Sequence, residues 1–189
     1  FTEAPKKGTI ESYTGVVDEY ARFVLDKIHV ERKLSVVLDT GNSVSGIVAP
    51  KLFREIGCKV KVINEKLDGS FPSHSPEPNE TSLQQLMSEV KTAHADLGVG
   101  YDGDGDRAVF IDDKGRLLTG DFSSIIFAQD LITKNNKKVV IDVSCSSALE
   151  ESIRAKNGTP IVERIGRPFM MTRVLQEQAV FGGERSGHF

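Results

Sequence analysis

Short apolar runs rich in β-branched residues alternate with longer amphipathic stretches along almost the whole chain, and that alternation restricts it to an α/β fold. Leu34-Ser-Val-Val-Leu38 reads as a buried strand, closed by Asp39-Thr-Gly41. Ser45 to Ile56 reads as a helix with Gly57 at its C-terminal cap, and Lys59-Val-Lys-Val-Ile63 as the next strand. Upstream, Val16, Tyr20, Phe23, Val24 and Ile28 recur at helical spacing between Glu11 and His29. Downstream, Thr81 or Ser82 is the expected cap of a helix running to His94, with Leu83, Leu86, Val90 and Ala93 on one face. Ala95 to Gly100 and Ala108 to Ile111 read as strands, and Asp113-Lys-Gly-Arg116 as a hairpin-type turn before Leu117-Leu118. A second cycle begins near Thr119. Helices are expected over 121–133, 144–156 and 168–177, with strands at 138–142, from Pro160 to Val162, and from Ala179 to Phe181. The expected architecture is two consecutive three-layer α/β domains with mixed sheets, residues 1–117 and 118–189.

A length of 189 residues accommodates two such units. The net charge of −3 gives no expectation of nucleic acid or an acidic membrane as partner, although a local Arg/Lys cluster can still hold a small polyanion. No run approaches the roughly 20 apolar residues of a membrane span, and Phe1 to Lys7 lack the apolar core of a signal peptide. Cys58 and Cys145 stand outside any CxxC spacing. They read as core residues of a protein in a reducing, cytoplasmic compartment, not as zinc ligands or a disulfide. The chain starts without Met and stops just after a glycine-rich stretch, so a piece of a longer protein is expected.

The most chemically pointed segment is Asp102-Gly-Asp-Gly-Asp106-Arg107. Glycines at 103 and 105 allow backbone bends that a Cβ disfavours, so three carboxylates can converge. Converging carboxylates repel unless a cation neutralises them, and hard oxygen donors select Mg²⁺, Ca²⁺ or Mn²⁺ over zinc. Arg107 adds a planar fork suited to phosphate or to a carboxylate. A plain solvated turn is the bland rival for so dense an arrangement. A calcium loop of EF-hand type needs Gly at its sixth position and Glu at its twelfth, where this chain has Arg107 and Asp113. Gly41 to Gly46 has P-loop spacing, but Ile47-Val48 stands where Lys-Ser/Thr is required. Between Asp68 and Glu80 lie three prolines in a long polar loop, a length that points to a functional role.

Tyr101-Asp-Gly-Asp-Gly-Asp-Arg107 resembles the metal loop of the α-D-phosphohexomutases, the family of phosphomannomutase, phosphoglucomutase and phosphoglucosamine mutase. Val37-Leu-Asp39-Thr-Gly41-Asn42 is similar to the first strand and turn of that family's second domain, and Asp68 to Pro78 to its proline-rich loop. Gly183-Glu184-Arg185-Ser186-Gly187-His188 resembles its sugar-recognition loop. Four motifs in the family's order span nearly the whole chain, matching the second of four family domains and most of the third.

The resemblance implies an enzyme that moves a phosphoryl group between the 1- and 6-positions of a hexose through a bisphosphorylated intermediate. It implies Mg²⁺ on Asp102, Asp104 and Asp106, and a catalytic phosphoserine in the first domain. Arg107 would support the phosphoryl group or position the phosphoserine loop, and His188 would orient the sugar or assist proton transfer. Glu184 and Ser186 would bind sugar hydroxyls; Arg167, which departs from the family's pattern, either binds a phosphate or forms a surface salt bridge. The implied partners are a hexose phosphate and the first and fourth family domains, without which the chain is expected to be inactive.

Two departures bear on the choice of sugar. Ser144 and Arg167 stand where bacterial phosphomannomutase-type members carry Lys and His. Ser73-His74-Ser75 superficially resembles the family's serine loop but lies in the proline-rich loop, so it reads as structural. Two rivals remain: a phosphatase of haloacid-dehalogenase type, which needs Asp-x-Asp where the chain has Asp39-Thr-Gly, and a noncatalytic binding module stabilised by its metal.

Overall fold

The computed structural model describes residues 8–189. Helix α1 (Val16–Leu25) precedes a five-stranded sheet made of β1 (Ser35–Asp39), β2 (Lys59–Ile63), β3 (Leu97–Tyr101), β4 (Ala108–Asp112) and β5 (Leu117–Leu118), in the order β2-β1-β3-β4-β5. Helices α2 (Ser45–Glu55) and α3 (Gln84–Ala93) supply the crossovers that let β1 run parallel to β2 and β3. The short connections to β4 and β5 make those pairings antiparallel. Strand β1 is interior, between β2 and β3, and Val36, Val37, Leu38 and Asp39 are all buried, as expected of a strand covered on both faces. One face packs Val37, Ile63 and Ile111 under Leu83, Leu86 and Val90, and the other packs Val36, Leu38 and Val99 with Ala49 and Cys58.

The second half repeats the plan. Helix α4 (Gly120–Leu131) leads into β6 (Lys138–Asp142), α5 (Ser147–Ala155), β7 (Thr159–Glu163), α6 (Arg167–Glu177) and β8 (Phe181–Gly183). The sheet order is β7-β6-β8, all parallel, with the first strand again lying between the second and the third. Ala128, Ile132, Val139, Ile141, Leu149 and Ile153 form its core. The halves meet through Phe110, Phe127 and Phe189, whose ring centroids lie 5.1–6.0 Å apart. A backbone bond from Ala108 N–H to the Gly187 carbonyl (3.2 Å) ties the start of β4, just after the aspartate loop, to the loop that follows β8. No described helix is long and apolar enough to cross a membrane.

Four elements differ from the sequence expectation for identifiable reasons. Helix α1 forms, but Val16, Tyr20 and Phe23 are exposed and Ala21 is its buried residue. Helix α3 starts at Gln84 because Asn79, not Thr81 or Ser82, organises the turn, its Oδ1 accepting from both their N–H groups. Helix α5 starts at Ser147 because Asp142 draws the N–H and hydroxyl of Ser144 into a turn, each at 2.5 Å. Strand β8 lies two residues later than expected, since Ala179 N–H still bonds Val174 in α6.

Candidate metal and sugar-phosphate site

Strand β3 carries Asp102 out at its C-terminal end, and β4 returns the chain within a few residues. The turn between them gathers the carboxylates of Asp102, Asp104 and Asp106 so that one oxygen of each lies within 4.8 Å of the others. Asp102 is buried, at 1% exposure, while the other two reach solvent. Three hard oxygen donors at that spacing fit a small divalent cation. The two glycines act differently. Gly105 adopts φ +74°, a conformation costly for a residue with a Cβ. Gly103 is needed for space, since a Cβ there would lie 3.0 Å from Pro76 and 3.2 Å from the Phe71 ring.

Arg107 is fully engaged. Its Nε donates to Asp102 Oδ2 at 2.7 Å, and its backbone N–H to Asp102 Oδ1 at 3.1 Å. Its two terminal nitrogens grip both oxygens of Glu77 at 2.6 and 2.9 Å. Burial alone would push the Asp102 carboxyl up, but the Arg107 side chain and N–H outweigh it and hold it below the usual carboxylate range. Arg107 in turn is held more firmly protonated, chiefly by Glu77 and despite desolvation. Its fork thus faces the proline-rich loop. Glu77 was not anticipated from the sequence; its position between two prolines in a long loop was the available signal.

The second loop continues from β8. Glu184 is buried at 4% exposure, with Oε2 accepting from Ser186 Oγ (3.2 Å) and within 3.0 Å of His188 Nδ1. Ser186 Oγ lies 2.8 Å from the same ring nitrogen. The other ring nitrogen, Nε2, is 3.2 Å from Asp106 Oδ1. Arg167, at the start of α6, places Nη1 3.5 Å from Asp106 Oδ2 and leaves 64% of its side chain exposed. Of the expected site residues, Asp106, Arg167, Glu184 and His188 therefore border one opening, while Asp102 and Arg107 turn toward the proline-rich loop. A cavity of about 410 Å³ is lined by Asp106, Arg167, Glu184 and His188 on its polar side and by Met170 and Met171 of α6 on its apolar side. Glu184 Oε1, buried, has no hydrogen-bond partner among the described residues.

Each half also buries an aspartate at the end of its first strand. Asp39 accepts from Gly41 N–H (3.0 Å) and Asn64 Nδ2 (3.0 Å), and both its oxygens lie 3.2 Å from His74 Nε2. So enclosed, it has no free face from which to attack a phosphate, which argues against the dehalogenase-type phosphatase. Asp142 accepts from Ser144 and from Arg185 N–H (2.8 Å). Desolvation raises its carboxyl, yet the Ser144 and Arg185 bonds prevail and lower it. The side chain of Arg185 reaches the Ser144 carbonyl at 3.3 Å, a link the sequence reading missed. Cys145, half-buried beside Asp142 and Asp121, is pushed up to about 12 mainly by burial, which suits a packing role.

With this geometry in hand, comparison with known proteins is direct. Residues 18–115 match the family model for phosphoglucomutase/phosphomannomutase alpha/beta/alpha domain II, and residues 119–189 match that for domain III. A phosphomannomutase/phosphoglucomutase of Pseudomonas syringae pv. tomato is 35% identical over 97% of this chain and 40% of that protein. A probable phosphoglucosamine mutase of Methanothermobacter thermautotrophicus is 36% identical over 90% of this chain and 37% of its own length. The crystal structure of a phosphoglucomutase/phosphomannomutase family protein from Burkholderia thailandensis superposes with a TM-score of 0.86 at 31% identity, covering 91% of this chain and 38% of that one. The chain thus spans about two fifths of the length of the curated relatives it matches. Two domain models in the family's order, carried on the folds described above, place this chain in the phosphoglucomutase/phosphomannomutase family.

Proposed function

We propose that this chain contributes the cation loop and the sugar-recognition loop of a Mg²⁺-dependent phosphohexomutase. That enzyme would interconvert hexose 1-phosphate and hexose 6-phosphate of the phosphomannomutase/phosphoglucomutase type. The observation that carries the reading is His188, whose one ring nitrogen meets Glu184 and Ser186 while the other meets Asp106. Recognition of a sugar and binding of a cation are thereby parts of one site.

Asp102, Asp104 and Asp106 would hold the ion, which when bound neutralises charge developing on a phosphoryl group in transfer. The buried, unpartnered Glu184 Oε1 is an acceptor aimed at a sugar hydroxyl. Ser186 Oγ beside it can donate or accept, so the pair serves vicinal hydroxyls whichever end of the sugar enters. Arg167, 3.5 Å from Asp106 and largely exposed, offers a planar fork to a phosphate of the substrate. His188 orients the sugar or carries a proton between its neighbours. The phosphoserine that donates and receives the phosphoryl group, and the remaining phosphate contacts, come from family domains outside these residues.

Amide resonances test this. Mg²⁺ should shift residues 102–107, and glucose 1-phosphate or mannose 1-phosphate added afterwards should shift Arg167 and residues 184–188, with no turnover by the chain alone. Sugar phosphate that leaves 184–188 unmoved, or multiple turnovers by these 189 residues, would refute it.

A further inference from the structure

Glu77 is anchored in a way that its exposure alone does not require. Its carbonyl accepts from Ser82 Oγ at 2.6 Å and from Asn79 Nδ2 at 3.3 Å, and its N–H donates to Ser75 Oγ at 3.4 Å. Proline on either side restricts its backbone further. Just before it, Pro76 and Phe71 pack against Gly103, so the proline-rich loop is seated on the aspartate loop itself. From this base the Glu77 carboxylate takes both terminal nitrogens of Arg107 end-on, while the Arg107 Nε stays on Asp102.

A guanidinium touching a proposed cation ligand presents a conflict. It orients the carboxylate, but its charge and its spare donors compete with a cation for the same oxygens. The opposing Glu77 carboxylate resolves that conflict. It compensates the charge from the far side, and it occupies the two donors that could otherwise turn onto the aspartates. We infer that Glu77 is a positioning residue for the cation site, acting through Arg107: it limits Arg107 to the single Nε contact that aims Asp102 toward Asp104 and Asp106. The inference rests on the cation reading above. Groups hydrogen-bonded to a metal ligand, as Arg107 is, typically change metal affinity by about tenfold to a hundredfold when altered; Glu77 stands one hydrogen bond further out, so the expected loss in Glu77→Gln lies at the low end, about tenfold.

Mn²⁺, followed by loss of the free-ion paramagnetic resonance signal, is the probe. Glu77→Gln should bind Mn²⁺ about tenfold more weakly than wild type, and Glu77→Asp should recover most of that loss. In an Arg107→Met background, Glu77→Gln should change nothing, since its route to the site is gone. The side chain of Glu77 is 57% exposed, so the fold is retained, and amide spectra of the variants check this. A readout without metal runs alongside: the Arg107 Nε–H should exchange faster in Glu77→Gln than in wild type. Mn²⁺ affinity within twofold of wild type in Glu77→Gln would overturn the inference. So would an equal loss in the Arg107→Met background, which would make Glu77 a source of long-range charge only. Wild type that binds no Mn²⁺ would sink the cation reading as well as this one, which separates the two failures.

Discussion

The two halves of the molecule share one plan, a first strand flanked by the second and third, with a buried aspartate closing that first strand. They differ in how the loop after the third strand is held. After β3, the aspartate loop is fixed by charge: Arg107 bridges Asp102 and Glu77, and the proline-rich loop seats against Gly103. After β8, the Glu184 loop is fixed by backbone. Its ends are tied by the bonds Glu184 N–H to His188 O (2.9 Å) and Gly187 N–H to Glu184 O (3.1 Å), and it lies against the first residue of α4. If the aspartate loop holds a cation as proposed, it needs a rigid frame that survives cation exchange. The Glu184 loop needs its side chains left free, and Glu184 Oε1 is free. In the proposed reading, one repeated plan thus serves two binding tasks by changing what braces the loop.

Gly120 offers the sharpest way to break that contrast. A Cβ there would lie 2.7 Å from the Arg185 carbonyl carbon and 2.8 Å from the Glu184 carbonyl oxygen, both backbone atoms that cannot step aside cheaply. Gly120→Ala should therefore cost about 3 kcal/mol of stability and abolish sugar-phosphate binding, while Mg²⁺ affinity stays near wild type. Denaturant unfolding and calorimetry check both halves of that statement, and a parallel loss of cation binding would mean the loops are braced as one.

Asp142→Asn sharpens the comparison with a smaller effect, about 2 kcal/mol near neutral pH, since the carboxylate accepts from Ser144 and Arg185. Because the folded protein lowers this carboxyl, its contribution is fully present above about pH 4 and is lost as pH falls through the lowered value. Wild type and variant should converge in stability on acidification. A constant difference between pH 7 and pH 3 in urea titrations would assign the effect to packing alone.

Much of this was legible in the residues. The strands at 35–39, 59–63 and 138–142 announce themselves by β-branched runs, and the aspartate loop by its spacing. The sugar-loop residues were found by resemblance, and the structure brings Glu184, Ser186 and His188 within hydrogen-bond reach of one another. What sequence did not yield were relations between distant segments. Glu77 and Arg107 are thirty positions apart, and nothing in either local pattern names the other as partner. The apolar stripe of α1 gave the helix correctly but not the face it buries, because period fixes a stripe and not its neighbour. The late start of α5 was hidden because Ser144 prefers the Asp142 carboxylate to a helical turn.

The central claim is that Asp102, Asp104 and Asp106 hold one divalent cation at the edge of the Glu184 loop. Mg²⁺ titrated calorimetrically into the wild-type chain and into Asp104→Asn, Asp106→Asn and the double variant tests it most directly, since both side chains reach solvent and the fold survives their change. The account predicts one ion per chain, an affinity at least about tenfold lower in each single variant, and no measurable binding in the double. Equal affinity across the four proteins would contradict it.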